Sequence, residues 1–535
     1  MAKDMSRRTF VAGGAGALAV GASLAGAALA DEAGTAQGEA EGAYDYTADV
    51  VIAGSGMGGM CAGVQALQDG AQSVVIVEIS KWTGGGTSFA YGAIHGGSGG
   101  KTLDTFDAFT EYGNTGELAH AVYSGFEPLL HWVAEDLQLP VDADYDTPFG
   151  RMLNADGEGN PTAPRHFFDK FAELFESMGG RILTETRATH VIMDEDRARA
   201  IGLQCEDKDG NVVKIGAQAV ILACGGWQNN SELRARYLGV DGHQAKCMGT
   251  PYNTGAGLMM AVEAGAGLQG AMGQWAGCFV AADPAKNWME DPAAYEEYGY
   301  DAQTGGKWWL YNTVIDTMDA GNIWVNADGL RFVDENLPGI SSKHAVARQP
   351  HAACLVVCDA TVWDEWMAMP PASYAASVQE QIDIITSDAV GGRVFSADSI
   401  EGLADALNES GIATCRVHKA NFMRTVEEYN AAAEAGTGAD LYPPKASSCT
   451  PLVTPPFYAL PIQAAPYANY GGVAIDANAQ VLDLSRRPIP GLYATVPCAG
   501  GAFNEFYTGT IAAAGATGRM ATSAAMRAIG GADEA

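Results

Sequence analysis

A glycine-rich turn between two apolar segments constrains the fold of this 535-residue chain more than any other feature. Residues 48–53 (Ala-Asp-Val-Val-Ile-Ala) predict a short buried strand, and residues 54–59 (Gly-Ser-Gly-Met-Gly-Gly) follow it directly. A helical stretch then leads to a second strand over residues 73–77, which ends at Glu78. Strand, Gly-x-Gly-x-x-Gly, helix, strand and acidic residue, in this order, form the fingerprint of a dinucleotide-binding unit. The sequence therefore predicts that the chain binds a dinucleotide.

Each position of this fingerprint has a physical role. Gly54 permits the tight turn, Gly56 lets the backbone approach a pyrophosphate, and Gly59 allows close packing of helix against strand. The N-terminus of the helix offers N–H groups to the phosphates. Glu78 is placed to accept hydrogen bonds from ribose hydroxyls. The predicted contacts in this unit are Gly54, Ser55, Gly56, Met57, Gly58, Gly59 and Glu78.

Charge and composition limit the other functions of the chain. It has 64 acidic and 31 basic residues, a formal net charge of -33 at pH 7. Such a field repels phosphate backbones and anionic lipids, so we expect no nucleic-acid partner and no electrostatic attachment to a membrane. Hydrophobic residues make up 47% of the chain and charged residues 18%, which predicts a large packed core.

The first thirty residues have the pattern of an export signal. Arg7 and Arg8 lie in a basic start, an Ala- and Gly-rich stretch follows, and Ala-Leu-Ala occupies residues 28–30. Residues 1–30 resemble a twin-arginine signal; the alternative is a chance Arg pair before a membrane anchor, and the weak hydrophobicity argues against it. Residues 31–44 are typical of a linker. We therefore expect an exported, periplasmic or extracytoplasmic protein, with association with the cell envelope left open.

Ten cysteines are spread along the chain. An even number in an exported protein invites a disulfide interpretation, but most of them lie in apolar runs and no Cys-x-x-Cys occurs. We therefore predict that most are buried apolar residues. An iron–sulfur cluster is disfavoured because ferredoxin-like spacing is missing. Because Cys-x-x-Cys-His is also missing, we expect no c-type haem in this chain and an external electron donor.

Further motifs follow the fingerprint in a characteristic order. The loops over residues 81–88 and 91–97 come directly after Glu78. With these loops the sequence resembles the fumarate reductase/succinate dehydrogenase flavoprotein superfamily. The resemblance is strongest to its soluble branch of flavocytochrome fumarate reductases, urocanate reductases, 3-ketosteroid dehydrogenases and related bacterial ene-reductases. One departure is Ala256, which replaces the Asp of an Asn-Thr-Gly-Asp-Gly motif. The other matching segments are residues 219–227, 253–257, 328–335, 471–476 and 489–494.

The resemblance implies an α/β protein in which a Rossmann-like FAD-binding domain carries an inserted α+β capping domain. The FAD-binding domain would comprise residues 45–275 and 461–527. The capping domain would comprise residues 276–460 and close over the substrate, and residues 528–535 would form a tail.

The resemblance also implies that the dinucleotide is FAD. Some relatives attach the flavin covalently to a histidine in the loop after the first glycine pair, where this chain has Gly86. We therefore predict noncovalent FAD. Beyond the fingerprint, the implied cofactor contacts are Gly85, Gly86, Thr87, Ser88, Gly92, Ala188, Gly225, Gly226, Gly255, Glu505 and Thr510.

The departures from the family indicate the substrate. Fumarate reductases hold a dicarboxylate with histidines and arginines and protonate it with an arginine. Aligned on the motifs, those positions hold Gly339, Tyr507, Ala468 and, approximately, Cys278. A dicarboxylate would be bound poorly without bidentate arginines. The sequence therefore argues against fumarate and succinate as substrates.

Tyrosines are the candidate catalytic residues, since the branch that acts on neutral carbonyl compounds uses tyrosines to bind the carbonyl and to move a proton. Tyr507 is the leading candidate because of its motif position, followed by Tyr470 and Tyr458. For each of them, packing without catalysis is the alternative. A tyrosine O–H aimed at a carbonyl would stabilise a developing enolate, although a pKa of about 10 makes it a weak acid.

Arg331 is a further catalytic candidate, because the matching arginine of relatives lies near the active site. Its alternative is a structural ion pair with Asp334 or Glu335. His95 and His344 are candidate polar residues of the pocket wall, or ordinary core or surface histidines.

The predicted function is that of an exported FAD-dependent oxidoreductase acting on CH–CH groups. It would transfer hydride from reduced flavin to a C=C bond conjugated to a carbonyl, in an enone, unsaturated lactone or unsaturated acid other than fumarate. A cytochrome or a quinol-linked protein would supply electrons. One alternative is a ketosteroid-type dehydrogenase that works in the oxidative direction, and another is a non-catalytic flavin-binding module.

Overall fold

A computed structural model describes residues 44–90, 92–94, 116–147, 150–153, 165–282, 292, 322–335, 340–370, 377–386, 391–445, 449–503 and 507–530. Tyr46–Ala535 constitute one compact unit. The predicted export signal, all but the last residue of the linker, and the candidates His95, Gly339 and Glu505 lie outside the described residues.

The described residues contain eighteen strands and twelve α-helices. The strands are β1 (Tyr46–Ala53), β2 (Val74–Val77), β3 (Ala93–Ile94), β4 (Asp142–Thr147), β5 (Gly150–Met152), β6 (Arg181–Leu183), β7 (Thr186–Met193), β8 (Ala200–Asp207), β9 (Val212–Leu222), β10 (Leu268–Gln269), β11 (Trp275–Ala281), β12 (Ile323–Val325), β13 (Ala353–Cys358), β14 (Phe395–Ala397), β15 (Phe457–Asn469), β16 (Gly472–Val473), β17 (Gln480–Leu482) and β18 (Pro488–Ala494). The helices are α1 (Met57–Gln68), α2 (Glu117–Ser124), α3 (Phe126–His131), α4 (Arg165–Ser177), α5 (Ser231–Tyr237), α6 (Ala256–Glu263), α7 (Ile340–Ala347), α8 (Ala360–Met367), α9 (Val378–Ile385), α10 (Ile400–Glu409), α11 (Lys419–Ala435) and α12 (Thr510–Ile529). The last helix ends two residues beyond the domain end predicted at residue 527.

The larger sheet has a parallel centre that contains the fingerprint. Its strands lie in the order β17-β18-β9-β1-β2-β6, with β8 paired to β9 and β7 paired to β8. Strand β1 runs parallel to β2 and β9, and β9 runs parallel to β18. All four residues of β2 and the last four residues of β1, β9 and β18 are buried. Burial on both faces explains the continuous apolar runs of these strands, and the predicted α/β class is confirmed.

Helices α1 and α12 pack against each other and against this sheet. A β-carbon at Gly518 of α12 would collide with the carbonyl oxygen of Gly58, so both backbones approach at glycine. The Thr522 hydroxyl donates to the Ala62 carbonyl over 3.0 Å. The fingerprint helix is therefore held in place by the last described helix of the chain.

A second sheet is antiparallel and has five strands. Its order is β11-β15-β13-β12, and β14 also pairs with β15. The boundary predicted between capping and FAD-binding domains, at residue 461, falls inside β15, and the boundary at residue 276 falls inside β11. The division into two domains stays a prediction, and both of its boundaries lie within strands of one sheet.

All ten cysteines lie in the described part of the chain, and all are free. Eight are buried, and Cys224 and Cys449 are partly exposed, as predicted for apolar core residues. Within the described ranges, His, Cys, Asp and Glu side chains form no group of three or more able to hold a metal ion. None of the helices among these residues has the length and apolar composition needed to cross a membrane.

Candidate active site

The fingerprint lies where the parallel strands β1, β2 and β9 end at one edge of the larger sheet. Gly54 has a φ of +105°, and a β-carbon there would collide with the Ala223 carbonyl after β9. A β-carbon at Gly59 would collide with the Gly54 carbonyl. The packing of the protein itself therefore requires these two glycines.

Gly56 differs from these two glycines. A β-carbon there would lie 3.6 Å from the Thr87 hydroxyl oxygen and 3.7 Å from the Gly84 carbonyl oxygen, ordinary contact distances. Its φ of -66° suits any residue, and Gly56, as the N-cap residue, has no side chain to cap helix α1. The open space at a helix N-terminus fits the pyrophosphate of a dinucleotide, since a helix N-terminus favours anions.

Glu78 lies at the end of β2 and is 4% exposed. One carboxylate oxygen accepts from the Ser55 amide over 2.9 Å and from the Ser55 hydroxyl over 2.6 Å. The other carboxylate oxygen accepts from the Ser80 amide over 3.0 Å. These contacts fix the carboxylate beside the fingerprint turn, where its predicted role toward a ribose requires it.

The loop after Glu78 packs against the fingerprint. The Gly84 amide donates to the Ser55 carbonyl and hydroxyl oxygens, each over 3.1 Å. The Met57 amide donates to the Thr87 hydroxyl over 3.4 Å, and the Ser88 hydroxyl donates to the Gly85 carbonyl over 2.8 Å. Gly85 lies against Gly56, as its β-carbon would be 3.6 Å from the Gly56 Cα. The predicted contacts Gly85 and Thr87 thus lie beside the open space at Gly56, and we call this space the cofactor groove. The Ser88 hydroxyl bonds within the loop itself.

Asn253 connects the second glycine pair to this groove, and the sequence did not single it out as a site residue. Its side-chain amide lies against Gly225, where a β-carbon would collide with its oxygen, and 3.4 Å from the position of a β-carbon on Gly86. Gly255 has a φ of +81°, and its amide donates to the Gly226 carbonyl over 3.1 Å. The structure therefore brings Gly86, Gly225 and Asn253 together from three separate motifs.

Ala188 and Gly92 are two other predicted cofactor contacts. Ala188 lies on β7, two residues after Thr186, whose amide donates to the Glu78 carbonyl over 2.8 Å. Gly92 has a φ of +84°, and its carbonyl accepts from the Leu153 amide over 2.9 Å. Neither contact with FAD is tested by these interactions, so both roles stay predictions.

Four aromatic residues form what we call the tyrosine cluster: Tyr467, Tyr470, Phe503 and Tyr507. The rings of Tyr467 and Tyr507 meet edge to face at 5.4 Å between centroids. Phe503 lies 5.7 Å from the Tyr507 ring and 5.6 Å from the Tyr470 ring. The structure therefore brings together two of the predicted catalytic tyrosines, Tyr507 and Tyr470.

The hydroxyls of the tyrosine cluster differ in their hydrogen bonds. The Tyr507 oxygen accepts from the Thr510 amide at the start of α12 over 3.0 Å and is hydrogen-bonded to Tyr467. The Tyr470 hydroxyl is buried and has no hydrogen-bond partner among the described residues. An unsatisfied buried polar group costs about 1–3 kcal/mol. This unsatisfied hydroxyl, in the same cluster as Tyr507, indicates a place where a polar ligand atom binds.

Burial raises the pKa of Tyr507, while the hydrogen bonds from Thr510 and Tyr467 lower it. Burial likewise raises the pKa of Tyr470, and a charge on Tyr507 or Tyr123 would raise it further. These hydroxyls are therefore protonated at neutral pH and able to donate hydrogen bonds.

A small apolar cluster, here called the apolar wall, adjoins the tyrosine cluster at Tyr467. It consists of buried Met248, Cys278, Val280 and Ala465, with Trp82, Tyr252 and Tyr467 packed against it. Cys278 and Ala468 occupy positions where the resemblance places histidines, and both lie on the paired strands β11 and β15. Trp82 comes from the loop that follows Glu78, so the wall connects the cofactor groove with the tyrosine cluster.

Arg331 forms a buried ion pair with Glu335, the contact that the structural alternative expected. Its guanidinium binds the Glu335 carboxylate in bidentate fashion, with N–O distances of 2.8 and 2.7 Å, and donates to the Pro443 carbonyl over 2.7 Å. Glu335 also accepts from Lys445 at 3.5 Å and from the Trp324 amide at 3.0 Å. Because these partners occupy the guanidinium, a catalytic role for Arg331 is not supported by the structure.

Tyr458 and His344 also have other surroundings than those expected of site residues. Tyr458 stacks on Trp363 at 4.1 Å. It lies nine residues before Tyr467 on the same strand, a separation of ~30 Å, so the structure does not bring it to the tyrosine cluster. His344 is buried, and its Nε2 donates to the Trp275 carbonyl over 2.8 Å.

Comparison with known proteins identifies the class to which this fold and site belong. The chain belongs to the FAD binding domain family, whose profile matches residues 49–516. It is similar to a probable fumarate reductase of Shewanella frigidimarina, with 22% identity over 512 residues, 89% of this chain and 74% of that protein. It is also similar to digoxin reductase of Eggerthella lenta, with 25% identity over 576 residues, 95% of this chain and 94% of that protein.

A solved structure of 3-ketosteroid Δ1-dehydrogenase from Sterolibacterium denitrificans has the same fold. Its TM-score is 0.68 at 19% identity, over 90% of this chain and 100% of that chain. The resemblance inferred from the motifs, the FAD cofactor and the class of FAD-dependent oxidoreductase are therefore confirmed.

Proposed function

We propose that this protein is an exported FAD-dependent reductase that acts on a C=C bond conjugated to the carbonyl of a small molecule without a second carboxylate. The observation that carries this proposal is the tyrosine cluster with the unpartnered buried hydroxyl of Tyr470. Tyrosine hydroxyls donate hydrogen bonds to a carbonyl oxygen. At the positions where fumarate reductases hold a dicarboxylate with arginines and histidines, the resemblance places Gly339, Tyr507, Ala468 and, approximately, Cys278.

Residues of the groove would hold FAD, which supplies hydride-transfer chemistry when bound. Gly54, Ser55, Gly56 and the start of α1 would bind the pyrophosphate, and Glu78 would bind a ribose. Asn253, Gly86 and Gly225 would line the continuation of the groove toward the apolar wall. The noncovalent mode stays part of the proposal, since Gly86 offers no side chain for attachment.

Tyr507 would donate a hydrogen bond to the carbonyl oxygen of the substrate. As the double bond is reduced, negative charge develops on that oxygen, and a preorganised donor in a buried site stabilises it. Tyr470 would be the second donor, because its buried hydroxyl lacks a partner among the described residues. The apolar wall would contact the hydrocarbon part of the substrate and exclude water.

The relatives support the reaction type by their names, as digoxin reductase, vinyl phenol reductase and urocanate reductase are each 22–25% identical to this chain. The electron donor would be an external cytochrome or quinol-linked protein, since the sequence lacks a c-type haem motif. Export by the twin-arginine route rests on residues 1–30 alone.

The experiment is anaerobic mixing of the dithionite-reduced holoenzyme with single compounds, followed by the return of oxidised-flavin absorbance. A neutral enone is expected to reoxidise the flavin rapidly, and fumarate is expected to leave it reduced. Tyr507→Phe is expected to slow reoxidation by the enone. Tyr458→Phe is its matched control, because it removes a tyrosine hydroxyl remote from the cluster. Rapid reoxidation by fumarate, or none by any unsaturated carbonyl compound, would contradict the proposal.

A second arm of the experiment tests the oxidative direction. Oxidised enzyme is mixed with a saturated cyclic ketone and an artificial electron acceptor. Turnover there, with none in the reductive direction, would assign a dehydrogenase instead. If the saturated ketone does not reduce the flavin and no unsaturated compound reoxidises it, the protein would be assigned as a non-catalytic flavin-binding module.

A further inference from the structure

We propose that Gln228 binds the flavin ring of FAD: its side-chain oxygen accepts a hydrogen bond from the imide N3–H of that ring. Gln228 comes two residues after the glycine pair at residues 225–226, and the sequence did not single it out as a site residue. The inference rests on the part of the proposed function in which the cofactor groove continues from Gly225 toward the apolar wall.

The Gln228 side chain is buried, and only its nitrogen is satisfied. The residue is 1% exposed, and its Nε2 donates to the Tyr467 carbonyl over 2.6 Å. Because only the NH₂ group of a carboxamide can donate to a carbonyl, this contact fixes the other atom as the oxygen, Oε1. Oε1 has no hydrogen-bond donor among the described residues. A buried acceptor without a donor is unfavourable, so this oxygen marks a place where a ligand donor binds.

The contacts of Gln228 hold it between the cofactor motifs and the tyrosine cluster. A β-carbon at Gly226 would collide with Oε1, so the oxygen lies against the glycine pair. The pairing of β11 with β15 is shifted by a bulge that passes over Tyr467, and the Gln228 N–H bonds to β15 at this interruption. The Arg234 guanidinium donates to the Gln228 backbone carbonyl over 2.7 Å and holds the loop in place.

The chemistry of the flavin selects the donor. The part of FAD that must reach the tyrosine cluster is the isoalloxazine ring, because this ring exchanges hydride with the substrate. In its oxidised form the ring carries a single N–H group, at N3, while N1, N5 and both carbonyl oxygens only accept hydrogen bonds. Oε1 is itself an acceptor, so it can bind the polar edge of the oxidised ring only at N3–H.

The first test compares FAD with its N3-methyl analogue by fluorescence titration of the full-length protein freed of flavin. The methyl group removes the donor and leaves Oε1 unpaired, so the analogue is expected to bind about 10-fold more weakly. Gln228→Met keeps the length of the side chain and removes the acceptor, and it is expected to bind the two flavins within about twofold of each other. Gln463→Met is the matched control, because Gln463 is also 1% exposed and its Nε2 donates to the His351 carbonyl over 2.9 Å. This variant is expected to discriminate as the parent protein does.

Two outcomes of the titration would overturn the inference. Equal binding of both flavins by the parent protein would assign Oε1 to an ordered water, and this comparison needs no variant to fold. Discrimination that Gln228→Met retains would be due to the bulk of the methyl group. If that variant also loses affinity equally for both flavins, the donor to Oε1 is a ribityl hydroxyl and not N3–H.

The second test observes the imide proton itself. The holoenzyme is loaded with FAD labelled with ¹⁵N at N3, and exchange of the N3 proton with solvent is measured by NMR. Gln228→Met is expected to speed this exchange about 10-fold at the same pH, and Gln463→Met is expected to leave it unchanged. An exchange rate that Gln228→Met does not change would overturn the inference.

Neither test requires turnover, so the inference and the proposed function can fail separately. If the imide proton is protected by Gln228 but no compound reoxidises the flavin, the proposed function fails while the contact stands. If an enone reoxidises the flavin but FAD and its N3-methyl analogue bind equally, the proposed function stands and the inference about Gln228 fails.

Discussion

Tyr507→Phe is the substitution that tests the proposed chemistry most directly. It removes one hydroxyl and keeps the ring, so the contacts with Tyr467 and Phe503 at 5.4 and 5.7 Å remain. The loss of one preorganised donor to a developing oxyanion lowers the rate by about 10²–10³-fold. The Thr510 amide also loses its acceptor, which costs about 1 kcal/mol in the free energy of unfolding because the amide lies in the first turn of α12.

The assay is single-turnover reoxidation of the reduced holoenzyme by a neutral enone, with chemical denaturation measured on the same preparation. The reduced rate must appear with an unchanged oxidised-flavin spectrum, because Tyr507 is no part of the glycine-lined groove. Tyr458→Phe is expected to stay within about 0.5 kcal/mol and twofold in rate. A Tyr507→Phe protein that turns over at the normal rate would refute the carbonyl-binding role.

Four other substitutions test the groove and the core. Gly56→Ala is expected to keep the melting temperature and weaken FAD binding about 10-fold or more in a fluorescence titration, whereas Gly59→Ala is expected to lower stability by about 3 kcal/mol or prevent folding. Glu335→Gln leaves Arg331 without its buried carboxylate, so chemical denaturation should show a loss of about 3–5 kcal/mol. Burial lowers the pKa of His344. The contribution of neutral His344 to stability is therefore complete above pH ~6.5, the ordinary pKa of histidine in an unfolded chain, and is lost as the pH falls below that value. His344→Gln should flatten the dependence of the denaturation midpoint on pH.

Each of these predictions has a result that contradicts it. If Gly56→Ala binds FAD normally, the open space over that residue is not the pyrophosphate site. If Glu335→Gln is as stable as the parent protein, the buried ion pair adds nothing. An unchanged loss of stability on acidification in His344→Gln would assign that loss to other groups.

The cofactor groove was predictable from sequence because its determinants are local. The fingerprint from Gly54 to Gly59 and its acidic partner Glu78 form one βαβ unit, in which the packing of the protein requires Gly54 and Gly59 and Gly56 leaves open space at the helix N-terminus. The second loop and the glycine pair at residues 225–226 follow in a fixed order. Local conformational requirements therefore located the groove before any tertiary contact was known.

The tyrosine cluster was only partly predictable because it depends on strand register and on helix position. The contact of Tyr467 with Tyr507 could not be predicted from sequence, because it depends on where β15 places the Tyr467 ring. Tyr458 is chemically identical and lies on the same strand, but ~30 Å of extended backbone separates the two. Arg331 differs, because its ion pair with Glu335 is local, only four residues along the chain. The sequence nevertheless left this ion pair as one of two alternatives.

The close contact of α1 with α12 has a consequence for how the protein is made. The nucleotide-binding helix is encoded at residues 57–68, while the helix that covers it ends at Ile529. The ribosome therefore adds the 441 residues from 69 to 509 between the two helices. Until the later helix is made, the apolar side of the earlier one is not covered by it. We therefore expect FAD capture late in biosynthesis, and a ribosome-stalled chain that ends before residue 510 should not retain the cofactor.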